Sequence, residues 1–299
     1  MFAAVGTAAP TLAAAASAPP LAPGARYLAL GDSVTFGYQE ANVVPPPNYR
    51  RASSFLGYPE QLGAQLRLNV ANAACPGETS SSLINPAAPS NGCENTGGKG
   101  IGYRALFPLH VRYRGSQLSY AVSYLRSQRN VRLVSLMIGA NDLFLCAKTT
   151  KDGCLSELAA LLRRIARNVG TILRSIRDQA HYSGQLAIVN YYSLTYALPA
   201  AAAQVASLNR AVDEAARPYH VTIADGFGQF KRAAAHSGAD SCRAGLLTQL
   251  GTPTSCGVHP SYAGQALLAG ALLRAVRLAP GTTPAPPKPP PPQPPPGRG

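Results

Sequence analysis

No uninterrupted stretch of about 20 apolar residues occurs in this sequence, which argues against an ordinary membrane-spanning helix. Acidic residues are scarce: 13 Asp and Glu stand against 27 Lys and Arg, for a net charge of +14. Such a balance suits an anionic partner, for example an anionic lipid interface or an acidic polysaccharide. Nucleic acid is not expected, because the positive residues are scattered and no basic run with interleaved aromatics is present. Cys-x-x-Cys spacing is also missing, so the cysteines do not read as zinc ligands and no metal is expected.

What is present is enough for one large domain, at 299 residues and 46% hydrophobic. The cysteines fall into sequence-local pairs, Cys75 with Cys93, Cys146 with Cys154 and Cys242 with Cys256. An even count in such pairs points to disulfides and an oxidising compartment, although the pairing itself rests on proximity. Residues 1–24 are Ala- and Pro-rich, with a small-residue triplet Ala16-Ser17-Ala18 but no basic start and with Pro10 in the apolar run. They read either as a secretion signal whose true start lies upstream or as a disordered leader. Residues 25–279 are the expected folded domain, and residues 280–299 a Pro-rich extended tail.

Apolar strand-like runs at 27–30, 67–73, 132–138, 185–190 and 220–224 alternate with helix-like segments near 55–66, 116–129, 155–180, 200–217 and 261–278. That alternation predicts an α/β fold, a three-layer α/β/α sandwich with a central parallel sheet of about five strands. In the segment 155–180, Leu158, Leu161, Leu162, Ile165, Val169, Ile172 and Ile176 share one helical face, and Arg163, Arg167, Arg174 and Arg177 share the other. The arginine stripe reads as an ordinary solvated face ahead of an anionic adsorption surface.

Functional sites in such sheets form beyond the carboxyl ends of the strands. Gly31-Asp32-Ser33 follows the first strand, Gly77 the second and Gly139-Ala140-Asn141-Asp142 the third, while His259-Pro260 precedes the last helix. Ser33 is the candidate nucleophile and His259 its candidate general base, because a serine hydroxyl needs a base to take its proton as it attacks. The backbone N–H groups of Ser33 and Gly77 and the amide of Asn141 are candidate donors to an oxyanion. Singly, these residues also make ordinary turns and caps.

The ordered set resembles the SGNH, or GDSL, hydrolases, and looks most like their secreted bacterial lipase/esterase branch with three disulfides. The resemblance spans about residues 26–278. It implies a flavodoxin-like fold, ester hydrolysis through an acyl-serine intermediate, no metal or organic cofactor, and oxyanion donors from Ser33, Gly77 and Asn141. Two departures stand out. Val34 replaces the usual Leu after Gly-Asp-Ser, and Cys256 occupies the position three before the histidine where an Asp usually stands. The Cys256 backbone carbonyl is the favoured partner to orient His259 in a Ser/His dyad, with Asp240 as the less favoured carboxylate and an impaired enzyme as the third option. Asp225 reads as a turn cap after the fifth strand.

The long segment from Thr79 to Gly115 offers Tyr103, Leu106 and Phe107 as a wall beside the nucleophile, or as residues that only pin the loop. The leading expectation is a monomeric secreted or cell-wall-associated esterase or lipase acting on ester or lipid substrates at an anionic interface. Polysaccharide deacetylation on the same site and a catalytically impaired wall-associated binding protein are the alternatives.

Overall fold

The first strand, β1 (Arg26–Gly31), is buried at every position except Arg26, the pattern of a strand covered on both faces. The computed structural model describes residues 18–251, 255–287 and 289. After β1 come a single turn, α1 (Ser33–Phe36), then α2 (Tyr58–Leu66), β2 (Asn69–Asn72), the short α3 (Ser80–Ile84) and α4 (Tyr103–Leu106), and α5 (Gln117–Ser127). Next are β3 (Val131–Met137), α6 (Ala140–Thr149), α7 (Leu158–Arg174), β4 (Gln185–Val189), α8 (Pro199–Ala216), β5 (Thr222–Ala224) and α9 (Gly226–Ala234). A hairpin of β6 (Leu247–Gln249) and β7 (Cys256–Pro260) leads into α10 (Tyr262–Ala275).

The five parallel strands lie in the order β2-β1-β3-β4-β5. Helices α2, α9 and α10 pack together, as do α3, α5, α7 and α8, and the sheet lies between two helical layers. The order reverses direction at β1, so the loops after β1 and β3 part there and leave a crevice at the carboxyl edge.

All five expected strands and the five expected helices are present. The expectation did not include α1, α3, α4, α6 and α9, or the β6–β7 hairpin, whose strands carry no clean alternation. Helix α7 buries Leu161, Ile165, Val169, Ile172 and Leu173 and exposes Arg163, Arg167 and Arg174. Arg177 departs from the stripe: its guanidinium donates to the carbonyls of Tyr182 and Gly184, both at 2.9 Å, and of Tyr219 and His220. It ties the end of α7, which closes in a π-turn over Ser175–Gln179, to the segments that precede β4 and β5.

The disulfides are Cys75–Cys93, Cys146–Cys154 and Cys242–Cys256, the pairing that proximity suggests. The packed unit begins before residue 25: Leu21 is fully buried, and its backbone bonds Arg277 and Ala279. At the other end the Ala285 N–H donates to the Gln65 carbonyl at 2.8 Å, so the chain still lies against α2 past residue 280. The Ala16-Ser17 part of the signal-like leader and the end of the Pro-rich tail lie outside the described residues. Among the described residues, no helix is long and apolar enough to cross a membrane.

Candidate active site

The turn after β1 is shaped by Gly31 and Asp32. Gly31 has φ +149°, and a side chain there would collide with the Met137 carbonyl and with Thr35, so the position is restricted to glycine. Asp32 caps α1, its Oδ1 accepting from the Val34 N–H at 2.9 Å. Ser33 then stands at the first helical position, where its own N–H has no carbonyl to meet within the helix.

His259, on β7, faces that serine: its Nε2 lies 2.9 Å from Ser33 Oγ. Its Nδ1 lies 2.7 Å from Oε1 of Glu40, a residue in the loop after α1. The same Oε1 accepts from the Val258 N–H at 3.0 Å, and Oε2 accepts from the Thr248 hydroxyl at 2.6 Å. Burial by itself would push the Glu40 carboxyl up, but its hydrogen bond to His259, the imidazole charge and the Thr248 hydroxyl prevail and bring it down to about 2. An ionised carboxylate only accepts, so Nδ1 carries the proton and Nε2 is left to accept from Ser33. Gly257 makes room for this: a Cβ there would overlap Glu40 Oε1.

Neither sequence-derived partner for the imidazole holds that place. Cys256 pairs with Gln249 in the hairpin and is bonded through sulfur to Cys242, while Nδ1 is engaged by Glu40. Its contribution is to fasten the hairpin that carries His259. Asp240 accepts from the Arg243 N–H at 2.9 Å and bridges Thr195, a turn-forming role. Asp225 caps α9 as expected, accepting from the Gly228 N–H at 2.7 Å.

On the opposite side of the turn, the Asn141 amide at the start of α6 donates to Asp32 Oδ2 at 3.2 Å, and its carbonyl accepts from the Asn91 amide at 2.8 Å. With its carbonyl so engaged, the amide keeps a second N–H for another acceptor. Asn91 also donates its backbone N–H to the Gly77 carbonyl at 2.8 Å, so one residue outside the sequence reading, through its side chain and its backbone, joins two of the expected oxyanion donors. Burial lifts Asp32 to about 6, against hydrogen bonds from Tyr191, Val34 and Asn141 and the charge of His259; the Tyr191 hydroxyl donates at 2.6 Å.

Behind the Gly77 loop, Glu78 is wholly buried. It accepts from the Ser82 hydroxyl and, at 3.1 Å, from Gln117 Nε2. Gln117 in turn brackets Gly31, accepting from its N–H at 2.6 Å and donating to its carbonyl at 3.0 Å. Burial pushes the Glu78 carboxyl up to about 8, with the Glu94 charge adding to it and Ser82, Gln117 and Arg104 opposing.

Of the wall candidates, Tyr103 and Phe107 join an aromatic cluster with Phe36, Tyr38, Tyr49 and Phe55. The Tyr38 ring lies 4.8 Å from the imidazole of His259, centroid to centroid. Leu106 departs from that expectation: it is 61% exposed and does not contribute to the cluster. The ring beside His259 is instead Tyr38, from the loop after α1, which sequence spacing does not reveal.

The profile of the GDSL-like lipase/acylhydrolase family matches residues 29–267, a span that holds every residue of this arrangement. No curated protein matches the chain. Among solved structures it resembles phospholipase A1 from Streptomyces albidoflavus, at TM-score 0.56 and 17% identity over 85% of this chain and 100% of that one. It also resembles an alpha/beta hydrolase from the Lake Arreo metagenome, at TM-score 0.51 and 18% identity over 85% of this chain and 96% of that one. A third likeness is to the acetylxylan esterase Axe2 from Geobacillus stearothermophilus, at TM-score 0.50 and 17% identity over 86% and 96%. At these identities the structural likeness speaks for the shared fold. The family match over most of the chain, on a five-stranded parallel sheet with Ser33, Gly77 and Asn141 at its carboxyl edge, places this protein in the GDSL-like lipase/acylhydrolase family.

Proposed function

We propose that this chain is a secreted serine ester hydrolase that works through Ser33, His259 and Glu40. The observation that carries the reading is the continuous chain from Ser33 Oγ to His259 Nε2, at 2.9 Å, and from His259 Nδ1 to Glu40 Oε1, at 2.7 Å. Ser33 attacks the acyl carbon while Nε2 takes its proton, and the ionised Glu40 steadies the imidazolium that forms. The carbonyl oxygen gains the negative charge and is met by the N–H groups of Ser33 and Gly77 and the free N–H of Asn141. The imidazolium gives its proton to the departing alcohol. Water, deprotonated by His259, then attacks the acyl-serine, releasing the acid and restoring Ser33.

Three disulfides support an oxidising destination. The impaired-binder reading rested on Cys256 at the acid position, and Glu40 removes its ground. The test is hydrolysis of p-nitrophenyl esters from acetyl to palmitoyl by the purified chain, beside Ser33→Ala and His259→Ala. Activity lost in both variants is expected. Hydrolysis that survives Ser33→Ala, or none above that background on any ester, would overturn the proposal.

A further inference from the structure

Single apolar side chains scattered over a surface are ordinary; their concentration at one place is not. Among the described residues, all but one of the exposed large apolar side chains lie on segments beyond the carboxyl edge of the sheet or on β7, and the exception is Ile223 on the edge strand β5. Val44 follows α1, Ile101 lies in the loop after β2, Phe144 is on α6, Leu194 follows β4 and Val258 adjoins His259. Val44 and Ile101 are 68% and 69% exposed. This is the end of the molecule where Ser33 and His259 meet.

The charge on the same segments is one-sided. Arg50, Arg51, Lys99, Arg112, Lys148 and Lys151 are exposed. The acids there are largely withdrawn: Glu40 is bound to His259, Glu94 to Arg104 and Asp142 to Ser80, and the exposed ones are Asp152 and Glu157 before α7 and Asp225 after β5. Apolar side chains amid basic ones match a surface of acyl chains beneath anionic headgroups. A hydrated polyanion would satisfy the charge but offer nothing to the apolar residues.

We propose that the rim around Ser33 is a docking surface for anionic lipid aggregates, which present the ester to the site. The proposal rests on the ester-hydrolase reading for its substrate but is tested apart from it. Ser33→Ala protein is sedimented with vesicles of phosphatidylcholine alone and of phosphatidylcholine with phosphatidylglycerol. Binding at least tenfold tighter to the anionic vesicles is expected, weakened by salt. In that background, Val44→Glu and Ile101→Glu together reduce vesicle binding about tenfold or more. With Ser33 intact, the same pair leaves hydrolysis of soluble p-nitrophenyl acetate and the melting temperature unchanged. Equal binding to both vesicles, or none, overturns the docking surface even where soluble esters are hydrolysed. Binding that dextran sulfate matches and that the two substitutions do not alter overturns it in favour of a polyanion. Vesicle binding by a protein that hydrolyses no ester removes the enzymatic reading and leaves the surface standing.

Discussion

Glu40 and His259, 219 residues apart in the chain, meet with Oε1 2.7 Å from Nδ1. Three donors from the β6–β7 hairpin converge on that one carboxylate, so the loop after α1 and the hairpin are held together at His259.

Replacing Glu40 by Gln keeps the shape and removes the charge. Turnover is expected to fall by about 10²- to 10⁴-fold with a smaller change in KM, whereas Asp240→Asn stays near wild type. Steady-state kinetics of the two variants check this. A Glu40→Gln enzyme with wild-type kcat would return the orienting role to another group.

Because Glu40 is drawn down from 4.5 to about 2, its ionised form stabilises the fold fully above about pH 4.5. That contribution fades as pH falls through about 2. Denaturant titrations of wild type and Glu40→Gln between pH 2 and 6 are expected to show the wild-type advantage shrinking toward the acid end.

Glu78 carries the opposite sign. Its folded-state value is raised from 4.5 to about 8, so the native state holds a proton that the unfolded chain releases, and stability is lost as pH rises from about 4.5 through 8. Glu78→Gln removes this slope: its stability relative to wild type should improve from pH 5 to pH 9. A pH-independent difference between the two proteins would contradict a buried neutral carboxyl.

Asn141→Ala removes one of the proposed oxyanion donors and is expected to lower kcat by about 10²- to 10³-fold. Asn91→Ala leaves that donor and the backbone bond to Gly77 but releases the Asn141 side-chain carbonyl, so a smaller loss is expected. The double variant should fall little below Asn141→Ala alone, because both act on one unit. Additive losses would separate them.

The Cys242–Cys256 bridge closes the segment that carries Thr248 and anchors the start of β7, which carries Val258 and His259. Replacing both cysteines by Ser is expected to destabilise the domain by about 2 to 4 kcal/mol, measured by thermal or denaturant unfolding. Activity should be lost at a lower temperature than in wild type, as the hairpin loosens first.

Strands β1, β3 and β4 were legible because each is a short apolar run buried along nearly its whole length, and α7 because its apolar residues recur at helical spacing. The short helices and the hairpin were not, because their positions are fixed by packing and by the Cys242–Cys256 bond more than by any period. Tyr103 and Phe107 were singled out from composition, but only the fold shows them meeting Tyr38 and Leu106 facing solvent.

The sequence by itself determined the succession of strands along the chain and the residues that approach the site through tight local turns, Ser33, Gly77, Asn141 and His259, and its spacing suggested the disulfide pairs. Each lies in a short stretch whose glycines, caps or flanking proline leave the backbone few choices. The third partner of the histidine was decided by tertiary structure alone. Glu40 sits in an irregular loop with no local pattern to mark it, and becomes an acid of the site only because hairpin, disulfide and the missing side chain of Gly257 let its carboxylate reach the imidazole.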